Sequence, residues 1–174
     1  MRRFTPLVVF TLLTGGCASP DGELAAMARE RLALAPDVAW YKHSRDLPVY
    51  DPVRETGQLA TLISAGQSAG LPADKVRRFF ADEMEASRRV QWEWIHAWRK
   101  NLTPPPADSS RDLASELRPQ IDEINRRQID ALARGAKPLS LAQLSTMGER
   151  FLPKKSLSSP AQSPASTPPV TSQR

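Results

Sequence analysis

Arg31 and Lys42 stand eleven residues apart on a stretch whose apolar residues recur every three to four positions. Eleven residues are about three helical turns, so the two cations share a face, and that face is the apolar one: Leu24, Met27, Arg31, Leu34, Val38 and Tyr41/Lys42. A second helical stripe reads Val76, Phe80, Glu83/Met84, Ser87, Gln91, Trp94/Ile95, Trp98. Its ends are large and apolar, and its middle is polar. Arg54 and Glu55 open a further helix, and Arg118 lies beside the stripe Leu113, Leu117, Ile121, Ile124. Three arginines and a lysine therefore face one small volume, with Ser87 and Gln91 opposite.

Burying such groups unpaired costs on the order of several kcal/mol each. One reading pairs each with an acid, such as Glu83 or Glu55, or lets it snorkel to the surface. The other is a polar cavity that receives an anionic ligand. Arginine suits a carboxylate because its planar fork holds both oxygens through two hydrogen bonds.

The elements that must position these residues are all helical, because no stretch alternates convincingly with period two. Ser19-Pro20 supplies a cap and a first-turn proline for the first helix, which Pro36 must kink or restart. Asp51-Pro52 repeats that pattern for a second helix, running to Gly66 or Gly70. The third and longest follows Leu71-Pro72 to about Arg99, and Thr103–Pro106 is a stiff connector. A fourth covers roughly Ser110–Arg134 and stops at Gly135. A short fifth begins at Ser140, whose spacing to Gln143 makes a capping box. The expected fold class is all-α: one single-domain bundle of about five helices over residues 19–152, with the site inside it.

Length and composition agree, with 174 residues, 40% hydrophobic and 25% charged. One cysteine excludes an intramolecular disulfide or a cysteine-based zinc cluster, and two histidines leave little for a metal site. No metal and no nucleic acid is expected. The net charge of +5 comes entirely from Arg2, Arg3, Lys154, Lys155 and Arg174 at the two ends, so the body is neutral and carries no broad phosphate-binding field.

Residues 1–18 read as an export signal: Arg2-Arg3, the apolar run Leu7–Leu13, then small residues. Leu13-Thr14-Gly15-Gly16-Cys17 resembles a bacterial lipobox with Thr14 where leucine is usual. Lipidation of Cys17 and ordinary cleavage after Ala18 both remain open, so the expected location is periplasmic or secreted, with the membrane reached only through a lipid anchor. Residues 153–174 are rich in Pro and Ser, lack apolar bulk, and are expected to be disordered.

Three spaced sets carry a family resemblance: Arg31-x10-Lys42-x8-Asp51-x2-Arg54-Glu55, Phe80-x6-Ser87-x3-Gln91, and Leu117-Arg118-x2-Ile121-Asp122. Together with the export signal they resemble the secreted or periplasmic subclass of the all-helical chorismate mutases. That resemblance implies the Claisen rearrangement of chorismate to prephenate in aromatic amino-acid biosynthesis, with no cofactor and no covalent intermediate. It implies that Arg31 and Arg118 clamp the two carboxylates and that Lys42 and Gln91 donate to the ether oxygen. Glu55 and the Asp51 backbone would fix the ring hydroxyl, while Arg54 and Ser87 complete the carboxylate contacts. It also implies a homodimer with each site built within one chain. An isochorismate pyruvate lyase of the same fold, or a non-catalytic helical envelope lipoprotein, is the alternative.

Two features depart from the family pattern. The disulfide of some secreted relatives is absent. Pro119 follows Arg118, and a residue before proline is pushed away from helical dihedrals, which would put Arg118 at a helix start.

Overall fold

The computed structural model describes residues 19–106 and 111–154. The signal segment, Cys17, Ser110 and the tail from Lys155 onward lie outside the described residues. Among the described residues there are six α-helices and no strand: α1 (Pro20–Ala33), α2 (Ala35–His43), α3 (Pro52–Ser68), α4 (Ala73–Arg99), α5 (Arg118–Ala133) and α6 (Leu141–Gly148). The first two are the single interrupted helix expected from Pro36, which restarts the chain as the second residue of α2. Despite the break, the shared face persists, with Leu24, Met27, Arg31 and Val38 all buried.

Side-chain caps begin α1, α3 and α6 as the sequence suggests. Ser19 Oγ accepts from Gly22, Asp51 Oδ1 accepts from Arg54 N, and Ser140 forms the full capping box with Gln143. The ends of α3, α4 and α5 are closed by left-handed residues. Gly70 (φ 80°), Asn101 (φ 52°) and Gly135 (φ 101°) each let the following residue's N–H reach back five positions, as in Leu71 N to Gly66 O. Gly70, not Gly66, therefore marks the exit of α3. Gly66 lies inside the helix, buried against Val76.

The 27-residue α4 is the spine, and α2, α3 and α6 pack on it while α1 packs on α5. The main core gathers Leu24, Met27, Leu62, Val76, Phe79, Phe80, Met84, Ile124, Ile129 and Leu132. α3 buries only Leu62 and Gly66, so it is a wall rather than a core element.

The fourth expected helix differs at its start. Asp112 caps it, and Leu113–Leu117 form a π-helical turn that runs straight into α5. Arg118 has helical dihedrals (φ −63°, ψ −47°), contrary to the expectation drawn from Pro119. Its N–H bonds five residues back to Leu113 O. This wider turn accommodates the proline ring, which in a regular helix clashes with the carbonyl four residues earlier. Arg118 is the first residue of α5, yet it continues a helix rather than starting one.

Candidate active site

All eight residues singled out from the sequence line one cavity of about 170 Å³. Arg31 comes from α1 and Lys42 from the last turn of α2. Asp51, Arg54 and Glu55 come from the start of α3, Ser87 and Gln91 from the middle of α4, and Arg118 from the π–α junction. Val38, Met84, Leu113 and Ile121 add apolar wall.

The segment joining α2 to α3 covers one side. Asp46 takes a left-handed conformation (φ 52°) and turns the chain so that Leu47 and Pro48 line the cavity. Val49 is buried in a cluster with Ala39, Ile95 and Trp98, which anchors this segment. Lys42 Nζ donates to the Val49 carbonyl at 2.6 Å. An ammonium has three donors, so that contact leaves two for a ligand. Burial lowers the pKa of Lys42 from the ordinary lysine value; Glu55 and Asp51 oppose that shift, and Arg54 and Arg118 reinforce it. Arg54 is also lowered, by desolvation and then by Arg118, with Asp122 and Asp51 opposing.

Among the described residues, two polar atoms at the wall are buried without a partner: Arg118 Nε and Gln91 Oε1. Gln91 Nε2 donates to Ser87 Oγ at 3.2 Å. The amide can equally be turned over, so that the Ser87 hydroxyl donates to Oε1 and Nε2 is free to donate into the cavity.

The acids do not neutralise the cations as the purely structural reading required. Glu55 does not pair with Arg31, Lys42, Arg54 or Arg118; its Oε2 accepts from Arg88, which also bonds Glu85 and lies 5.1 Å over the Tyr50 ring. Among the described residues, Arg31 alone of these cations has a buried acid behind it, Glu83. Arg88, Gln58 and Asp122 also line the cavity and were not among the predicted site residues. Arg88 follows Met84 by four positions and precedes Gln91 by three, so helical spacing alone places it on the same face. A larger cavity of about 770 Å³ lies between α3 and α5 and shares Arg54, Gln58 and Asp122. It contains none of Arg31, Lys42, Gln91 or Arg118, so the concentration of positive charge belongs to the smaller one.

The profile described as "Chorismate mutase type II" matches residues 17–92, ending just past Gln91. Arg118 therefore joins the site through tertiary structure rather than through that match. The "Secreted chorismate mutase" of Mycobacterium tuberculosis is 32% identical over 110 residues, covering 63% of this chain and 54% of that one. The chain thus spans about half the length of this curated relative. The crystal structure of chorismate mutase from Burkholderia thailandensis superposes with a TM-score of 0.62 at 33% identity, covering 74% of this chain and 80% of that one. Secreted chorismate mutase from Yersinia pestis shares the fold at 20% identity, with a TM-score of 0.63 over 75% of this chain and 95% of that one. With the same helical scaffold and a third of aligned positions identical over four fifths of the Burkholderia protein, this chain belongs to the chorismate mutase family.

Proposed function

We propose that the cavity rearranges chorismate to prephenate. The observation that carries this reading is the charge balance of the wall. Arg31 is paired with Glu83, and Arg88 with Glu55 and Glu85, whereas Lys42, Arg54 and Arg118 face the cavity with no ion pair among the described residues and lack the negative charge that a ligand would bring. A dicarboxylate dianion supplies that charge. The reaction breaks an ether C–O bond and forms a C–C bond within one molecule, so no proton, metal or nucleophile is required. Acceleration comes from holding the reactant in a compact chair and from stabilising negative charge as it develops on the ether oxygen. Even the lower range of enzymatic rate enhancement corresponds to roughly 8 kcal/mol.

In this reading Arg31 and Arg118 clamp the carboxylates, and the unpartnered Arg118 Nε is a donor waiting for one of them. Arg54 and Ser87 complete those contacts. Lys42 and the turned-over Gln91 amide donate to the ether oxygen, and Glu55 with the Asp51 backbone holds the ring hydroxyl. The apolar wall of Val38, Leu113 and Ile121 keeps water away, which strengthens each of these contacts.

The test is incubation of purified protein with chorismate, following loss of its absorbance and identifying the product. Prephenate supports the proposal. Salicylate and pyruvate from isochorismate would identify a lyase instead, and no turnover of either compound would favour a non-catalytic envelope protein.

We also infer export, from the signal-like residues 1–18 and from relatives named as secreted. Periplasmic retention and a lipid on Cys17 are finer expectations that mass spectrometry of the mature N-terminus decides. A homodimer with self-contained sites fits the fact that all eight residues belong to one chain, and sedimentation measures its mass.

A further inference from the structure

Glu83 is fully buried on α4, where a carboxylate has no water to solvate it. Its partners come from two other helices. Gln128 Nε2 of α5 donates to Oε1 at 2.6 Å, and Arg31 Nε of α1 stands 3.5 Å from Oε2. Asn125, also buried on α5, accepts from the same Arg31 Nε through Oδ1 at 3.1 Å. Arg31 Nη1 donates to the backbone carbonyl of Glu83 at 3.4 Å. Two nitrogens of the guanidinium, Nε on one flank and Nη1 on the other, are thus engaged by protein. None of these hydrogen bonds uses Nη2. Arg31 lines the active-site cavity, whereas Glu83, Asn125 and Gln128 do not.

A buried ion pair adds little net stability, because desolvation offsets most of the attraction. What it does provide is a fixed geometry, and here the group so fixed is one that faces the cavity. An arginine side chain on its own has several rotatable bonds, and a clamp that wanders loses the advantage of orientation. We propose that Glu83, together with Asn125, is a positioning residue: the two hold Nε and Nη1 of Arg31 so that Nη2, at the tip of the guanidinium, is presented to a substrate carboxylate. This rests on the mutase reading of the cavity. It assigns a function to a buried acid that touches no ligand.

Glu83→Gln keeps the size of the side chain and removes its charge. It is expected to raise KM for chorismate about tenfold while kcat changes by less than about threefold. In an Arg31→Ala background the same change should leave KM nearly unaltered, because nothing remains to be positioned. Asn125→Ala is a second variant with the same expected direction. The opposite result is physically reasonable and would overturn the proposal: deleting a negative charge behind Arg31 strengthens the positive field, so an unpositioned site would bind the dianion equally well or better. A KM shift that persists at full size without Arg31 would also overturn it, by revealing a general packing defect.

A readout independent of turnover separates this inference from the mutase reading. The Arg31 Nε–H group, assigned by its loss in Arg31→Ala, should give a sharp, exchange-protected NMR signal in the native protein. That signal should broaden or vanish in Glu83→Gln. If the native protein does not convert chorismate, the mutase reading falls and this measurement alone decides whether Glu83 holds Arg31. An unchanged signal in Glu83→Gln overturns the proposal whatever the activity.

Discussion

Lys42 carries its charge against a local balance of forces. Burial works against the ammonium, Glu55 and Asp51 support it, and Arg54 and Arg118 oppose it, with a net lowering of its pKa. In the proposed reaction only the ammonium form donates strongly to the ether oxygen. Activity is therefore expected to hold through neutrality and to fall on the alkaline side at a pH below that of an ordinary lysine. Glu55→Gln removes the largest charge supporting the ammonium and should move that alkaline limb closer to neutrality in a kcat/KM–pH profile. On the acid side Gln91 has no proton to gain or lose, so the profile should be flat between about pH 5 and pH 8. Gln91→Glu must be protonated to donate, and its activity should decline as pH rises through that range. Lys42→Ala should lower kcat roughly a hundred- to a thousandfold, with an unchanged helical CD spectrum. The types and spacing of these residues were readable in the chain because polar groups at helical intervals on an apolar face are conspicuous. Arg88 was not recognised, because a lone arginine beside Ser87 looks like any solvated surface charge until Glu55 and Tyr50 are brought beside it.

At the scale of elements, the site depends on how closely α3 approaches α4, since one carries Arg54 and Glu55 and the other Ser87 and Gln91. Gly66 permits a close approach of the two helices at their connecting end. A Cβ there would stand 2.5 Å from Val76 Cγ2, and Val76 is buried and β-branched, with little freedom to turn away. Gly66→Ala should destabilise the protein by about 1–2 kcal/mol, the strain outweighing the helix propensity gained, and lower Tm by a few degrees. Gly57, nine residues earlier on the same helix, has nothing within 4 Å of an added Cβ. Gly57→Ala should raise stability by about 0.5–1 kcal/mol. Thermal melts of both variants check this contrast. Helix starts and stops were legible because caps, prolines and left-handed glycines act within one turn. The π turn before Arg118 was not, because the steric rule for residues preceding proline says that the chain must adjust and does not say how. Widening the turn kept Arg118 helical and kept it on the cavity.

The whole molecule adds long-range electrostatics. A wall that presents Lys42, Arg54 and Arg118 without ion-paired acids attracts a dianion from beyond contact distance, and salt screens that attraction over about 8 Å at physiological ionic strength. KM for chorismate should therefore rise severalfold as salt is raised from about 0.05 M to about 0.5 M, while kcat stays nearly constant, because bound charges are shielded from the solvent. Steady-state kinetics across that range checks it. By itself the amino-acid order determined an all-helical bundle, the starts and stops of its helices, and a set of cations, a serine and a glutamine on inward faces. Those features follow from contacts between residues one helical turn apart, which the chain encodes locally. Only the tertiary structure decided which inward groups meet. It put Glu83, Asn125 and Gln128 behind Arg31, sent Glu55 to Arg88 rather than to the other cations, and laid the Val49 carbonyl on Lys42. Such pairings depend on the rotation and separation of helices distant in sequence, quantities set by core packing and invisible to any local pattern.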